Sequence, residues 1–205
     1  MEKRKILILL GFIGIVYFLF LLFYIEFILN NYDPISQTIS ELGARDSKYS
    51  FMVNYIGFLV LGIAIMIFSL GFKEEFNHRL NTKISFYFLF IGGFFMSLVG
   101  LFPCDSGCVN LTPLSKFHYY VAAVPALLIP LAAIISSFEI SKKWGNNWGS
   151  LSLLLGIFSV ICGPLMFFPS FLSYMGFIER FGLALGIFWI FLITFGLFKE
   201  SIQKV

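Results

Sequence analysis

The hydrophobic positions of this chain follow neither the two-residue alternation of a half-buried strand nor the single apolar stripe of a surface helix. They run on almost unbroken in six stretches, at about Ile6–Leu29, Ser50–Phe72, Ile84–Phe102, Phe117–Phe138, Trp148–Phe168 and Arg180–Phe198. About 20 mostly apolar residues in a helix cross roughly 30 Å of hydrocarbon. A helix also satisfies its own backbone N–H and C=O groups where no water reaches them. Membrane-spanning strands would be about 10 residues long and would alternate in polarity, and none of these stretches does. The pattern predicts an all-α, polytopic membrane protein. Its connections are too short to hold a second domain, so residues 1–205 are expected to form one bundle of six transmembrane helices.

Composition supports this reading and removes others. The 205 residues are 59% hydrophobic and 12% charged, whereas soluble domains average about 45–50% and about 25%. A net charge of +3, spread over loops, excludes a nucleic-acid-binding domain. The first apolar run is 24 residues long and ends in Glu26-Phe-Ile-Leu-Asn-Asn-Tyr-Asp-Pro. A signal peptide has an apolar region of about 7–15 residues and a small-residue cleavage site, so this run is expected to stay as an anchor.

Lys and Arg in short loops set orientation. With the N-terminus in the cytoplasm, ten of the fourteen lie inside, Arg79 and Lys204 among them. Arg45, Lys48, Lys116 and Arg180 lie outside. Both termini are therefore expected in the cytoplasm, in the cell membrane. The outer loops become 30–49, 103–116 and 169–179, and the inner loops 73–83 and 139–147 read as plain charged connectors. Gly182-x-x-x-Gly186 and Ala122-x-x-x-Ala126 are expected to let helices approach closely. Pro125, Pro130 and Pro164 are expected to kink theirs.

Ionisable groups near a membrane are costly, so they are functional candidates. They collect on the outer side. In the first outer loop, Asp33-Pro34 reads as a helix start and Gly43 as its C-cap. A helix between them would put Ser36 and Ser40 on one face, with Gln37 and Glu41 on the next. It would present Ser40 and Glu41 to the mouth of the bundle, unless the segment is simply a solvated, capped loop. In the second outer loop, Cys104 and Cys108 are spaced for a disulfide around Asp105; a redox pair or a metal site would want different spacing or more ligands. Cys162 reads as a buried apolar thiol.

His118 opens the fourth span, with Asp105 at the end of the third. An Asp that orients a His is an acid–base arrangement, and Ser40 would complete a hydrolase-like set with Glu41 nearby. The plainer reading has His118 making one buried hydrogen bond. Glu26 needs a partner, for which Arg180 or His118 is placed. That pair either pins two helices or, with Ser36, Arg45 and Arg180, forms part of a rim for a phosphorylated head group. One His among carboxylates is a poor zinc set, so no metal is expected. No cofactor is expected either, since a glycine-rich phosphate loop and a pair of in-membrane histidines are both missing. Asn110-Leu-Thr112 is formally a glycosylation sequon.

Ser36-x-x-x-Ser40-Glu41-Leu42-Gly43-Ala44 before the second span, Gly100-Leu-Phe-Pro103-x-Asp105, and a His opening the next span resemble the domain of unknown function 998 family. The resemblance covers about residues 6–200. It implies six membrane helices, highlights Ser40, Glu41, Gly43, Asp105 and His118, and supplies no reaction. A fainter likeness to the Frag1/DRAM/Sfk1 group implies lipid handling. Three functions follow as expectations: binding or modification of a membrane lipid, a sensor or accessory role with a membrane protein partner, and small-solute transport. Lipid is the leading one, because the middles of the first, second, third and sixth spans carry no charge for an ion path.

Overall fold

The computed structural model describes residues 3–76, 80–109, 111–166 and 168–202. Arg79, Lys204 and the sequon residue Asn110 lie outside them. Among the described residues, structure is helical throughout. Helix α1 spans Lys3–Ile28, a four-residue helix α2 spans Ile39–Leu42, and a π-helical segment, Met52–Phe58, leads into α3 at Leu59–Glu75. Then come α4 (Leu80–Leu101), α5 (Pro113–Trp144), α6 (Asn146–Leu165) and α7 (Met175–Ile202), with short 3-10 turns at Ser106–Cys108 and Pro169–Tyr174. Six helices are long and apolar enough to cross a membrane. The chain is a multi-pass membrane protein.

Each long helix packs on its neighbours in sequence, α1 on α3, α3 on α4, and so on to α7, while α7 touches α1 more lightly and closes the ring. The two ends of the bundle differ. The end at which α1 starts and α7 finishes, called proximal here, gathers Arg4, Glu75, Lys143 and Glu200. The opposite, distal end carries α2 and the loops around Glu26, Asp105 and Arg180.

Close approach explains several glycines. At Gly62, Gly71 and Gly149 a Cβ would run into the backbone of the adjacent helix, which is how small residues bring membrane helices together. All four residues of the two expected small-residue pairs border a cavity; Gly182 also packs on Cys162, whereas a Cβ at Gly186 would meet nothing nearer than 3.9 Å. Helix α5 continues without a break through Pro125 and Pro130.

The proximal connectors are more than charged turns. The Glu75 side chain is almost fully buried, ion-paired to Lys143 and 3.2 Å from Arg4 Nε. Lys143 also lies 3.6 Å from Glu200, and Trp144 donates to the same carboxylate. Four charged groups from α1, α3, α5 and α7 thus meet at one point. Their sequence positions, scattered at helix ends, gave no spacing from which this could be read.

Candidate functional site

The first distal loop folds as two capped turns, not as one helix. The Asp33 carboxylate accepts from Ile35 N, Ser36 N and Ser36 Oγ, the last at 2.6 Å. These bonds, that of Ser36 Oγ foremost, hold the Asp33 carboxyl below its ordinary value. The chain then re-extends at Thr38 (φ −74°, ψ 160°), which caps α2. Thr38 Oγ1 accepts from Glu41 N, and Glu41 Oε1 accepts from Thr38 N at 3.0 Å. This reciprocal capping box starts a new helix, so Ser36 and Ser40 do not share a face. Glu41 completes the capping box of Thr38 and does not stand at the bundle mouth. Gly43 does close α2, yet with an ordinary negative φ; its need is space, since a Cβ there would lie 2.7 Å from Asn54 Oδ1. Buried Asn54 in turn donates to Gly43 O at 2.6 Å and to Ser50 Oγ at 3.1 Å. Asn54 is a positioning residue that its apolar surroundings in the sequence concealed.

This loop is clamped to α7. Arg180 donates from Nε and Nη2 to Glu26 Oε1, at 2.9 and 2.6 Å. Its Nη1 donates to Gln37 O and Gly176 O, both at 2.9 Å, and Nη2 also donates to the Tyr32 hydroxyl. All five guanidinium N–H groups are thereby directed to protein acceptors. Burial pushes the Tyr32 phenol up against the opposing pull of Arg180, so it stays protonated and donates onward, to Thr38 O at 2.8 Å or Gln37 O at 3.0 Å. Phe177 N donates to Ile35 O as well. Glu26 therefore finds the partner expected of it, and the pair joins α1 to α7.

The second distal loop is bridged by a Cys104–Cys108 disulfide, with Cα atoms 5.0 Å apart. Gly107 takes φ +62° in the turn between them, a conformation that costs glycine little. Asp105 sits inside this loop, but both its oxygens go to Thr112, from the backbone N–H and from Oγ1, each at 2.9 Å. The Thr112 N–H, then its hydroxyl and the Arg45 guanidinium 3.8 Å away, hold the Asp105 carboxyl below its ordinary value. Buried His118 turns its Nδ1 to Phe102 O at 2.7 Å. Asp105 and His118 thus have separate partners, where an orienting hydrogen bond between them was expected. Arg45 joins the two distal loops, through Asp105 and through its own N–H to Cys104 O at 3.1 Å. Nitrogen or sulfur atoms of Cys104, Cys108 and His118 lie within 4.8 Å of one another. Bridged sulfurs are not thiolates, so this group in its disulfide form does not fit a metal.

Below these loops lies a central cavity of about 150 Å³, bordered by α1 to α7. Its walls are apolar: Phe58, Leu61, Ile65, Met96, Ile129 and Ile190 are among them. On α7 it extends from Ile178 to Ile190, about 18 Å at 1.5 Å per residue. Ser159 and Cys162 also border it, but their side chains bond to carbonyls, Gly182 O at 2.9 Å and Phe158 O at 3.3 Å. At the distal end stand Ser40 and Glu179. Glu179 Oε2 accepts from Ile39 N at 2.6 Å. Among the described residues, Ser40 Oγ and Glu179 Oε1 have no hydrogen-bond partner. Glu179 was not singled out as a site residue from sequence; the available signal was a carboxylate beside Arg180 at the start of an apolar span.

A family model described as a protein of unknown function (DUF998) matches residues 12–196. The chain belongs to the DUF998 family. The match takes in both distal loops, His118 and the whole cavity, so the family assignment covers the candidate site as well as the six helices. No curated protein and no solved structure matches the chain.

Proposed function

We propose that this protein receives the apolar part of a membrane lipid in its central cavity and binds or modifies it from the extracytoplasmic side. In this reading the protein sits in the cell membrane with both termini in the cytoplasm, because eight of the twelve Lys and Arg residues among those described lie at the proximal end and its loops. The observation that carries the proposal is the cavity itself: central, mostly apolar along its depth, where the Ser159 and Cys162 side chains are bonded to carbonyls, and polar where Ser40 and Glu179 stand at its distal end. Concave, mostly apolar sites with a few convergent polar groups are the usual form of a small-molecule pocket. Transport of a polar solute would want polar groups at mid-depth, where Ile65, Ile129 and Ile190 stand instead.

Of the four residues expected to act chemically, Ser40 alone borders the cavity. Glu41, Asp105 and His118 bond to the loops around it. A serine nucleophile needs a base within hydrogen-bond reach, so this arrangement favours binding over hydrolysis. The same observation supports a second reading, a lipid-responsive sensor or accessory subunit whose distal loops meet a membrane protein partner.

The test is to purify wild type and Gly186→Leu in mild detergent and identify the lipids that accompany each by mass spectrometry. Gly186 borders the cavity and a Cβ there would meet nothing closer than Ile129 Cγ2 at 3.9 Å, so a leucine would occupy the space. A lipid species enriched with wild type and lost from the variant is expected. An identical lipid complement in both would overturn the proposal.

A further inference from the structure

Among the described residues, no Lys, Arg or His borders the cavity. The guanidinium nearest in sequence, that of Arg180, has each of its five N–H groups committed to Glu26, Tyr32 or the carbonyls of Gln37 and Gly176. Arg45 is paired with Asp105, and His118 with Phe102 O; neither borders the cavity. What does face it is a carboxylate with one oxygen uncommitted and a serine hydroxyl. Deeper in, Pro130 lacks the N–H that would meet the carbonyl of Ala126 in an unbroken helix, and both residues border the space. The polar groups on offer are therefore mainly acceptors.

Resting on the lipid reading above, we infer that the lipid group reaching Ser40 and Glu179 is a hydrogen-bond donor, the hydroxyl or amine end of a long-chain amphiphile, and not a phosphate or carboxylate. An anion placed there would face Glu179 in a low-dielectric space, with the nearby Arg180 guanidinium already paired to Glu26 and offering it no free N–H. A hydroxyl would donate to the free Glu179 oxygen and accept from Ser40 Oγ. An ammonium would add charge assistance to the first of these bonds.

The experiment uses the full chain in nanodiscs of zwitterionic lipid and four probes of equal chain length: myristyl alcohol, myristylamine, myristate and myristyl phosphate. Binding is read by native mass spectrometry for wild type, Glu179→Gln and Gly186→Leu. The glutamine keeps an oxygen for the Ile39 N–H while replacing the uncommitted carboxylate oxygen by an amide nitrogen, a donor. The alcohol and the amine are expected to bind at least about tenfold tighter than the two anions, the scale of one hydrogen bond to a charged group. Glu179→Gln is expected to abolish the advantage of amine over alcohol, and Gly186→Leu to abolish binding of both. Anions that bind wild type as tightly as the alcohol would overturn this inference while leaving the lipid reading intact. So would an amine advantage that persists in Glu179→Gln. Failure of every probe to bind, or binding unchanged in Gly186→Leu, would overturn the lipid reading itself.

Discussion

Arg180 and Glu26 lock the last membrane helix to the first: two guanidinium nitrogens, Nε and Nη2, converge on one carboxylate oxygen at 2.9 and 2.6 Å. Both side chains are less than a fifth exposed. α1 and α7 otherwise touch lightly, Phe12 meeting Phe191 among those contacts, so this pair is a polar tie between the two helices that close the ring.

Removing one partner of such a pair leaves the other desolvated and unpaired, which costs about 3 kcal/mol. Glu26→Gln and Arg180→Met are each expected to lower thermal stability in detergent by an amount of this order. The Arg180 variant should lose more, since it also forfeits the bonds to Gln37 O, Gly176 O and Tyr32. The double variant should cost less than the two singles added together, as for any interacting pair. Strict additivity in a double-mutant cycle would show that the two side chains act independently.

Cys104 and Cys108 are bridged, so a membrane-impermeant thiol reagent applied to intact cells should label neither until a reductant is added. Labelling after reduction would also place this loop outside the cytoplasm. Replacing both cysteines by serine removes a short-loop constraint from the unfolded chain, for a loss of about 2 kcal/mol. Labelling of unreduced protein at either position would contradict the bridge.

Acid should loosen the second distal loop through Asp105. Its carboxyl is held below the ordinary value of 3.8, chiefly by the Thr112 N–H. A depressed folded-state value means that the stabilisation is present above 3.8 and is lost as pH falls through the lower, folded value. Stability between pH 5 and 8 is therefore expected to be insensitive to this group, with the loss confined to stronger acid. Asp105→Asn should flatten that acid limb in a pH series of unfolding midpoints. A variant with the wild-type acid limb would assign the loss to other carboxylates, Asp33 among them.

The six membrane helices were legible because long apolar runs in a bilayer have one solution for their backbone groups. The structure extends five of the six expected spans toward their polar flanks: α5 begins at Pro113 and α7 at Met175, each capped or docked by neighbours that hydropathy does not register. The Glu26–Arg180 pair and the disulfide could be anticipated because each needs only proximity at one end of the bundle. The first distal loop could not. Its course depends on Thr38 preferring an extended cap to a helical turn, and on Glu41 reaching back to it. Nor was the Glu75–Lys143 contact visible, because it depends on which helices stand side by side. The cavity was hidden for a similar reason. A glycine with a close neighbour and a glycine facing open space look alike in a sequence; Gly182 and Gly186 both border the cavity, but only Gly182 has a neighbour, Cys162, within packing distance of a Cβ.

Glycine substitutions along α7 should separate these roles. At Gly176 a Cβ would run into the carbonyls of Gln37 and Pro34, the point where the first distal loop docks on the start of the helix. Those atoms are backbone; Gln37 O accepts from Arg180, and Ile35 O, next along the chain from Pro34, accepts from Phe177 N–H, so the segment cannot move aside without loosening the clamp. Gly176→Ala is expected to destabilise by about 1–3 kcal/mol, the usual range for overpacking. At Gly186 an added methyl faces the cavity, with no heavy atom nearer than 3.9 Å, and the helix gains about 0.5–1 kcal/mol from losing a glycine in its interior. Gly186→Ala should therefore match or exceed wild type in thermal stability while reducing the space that a lipid chain can occupy. A stabilised protein with weakened lipid retention would separate a site from a structural gap. Loss of stability at Gly186 comparable to that at Gly176 would mean that the cavity is already filled by the protein's own packing.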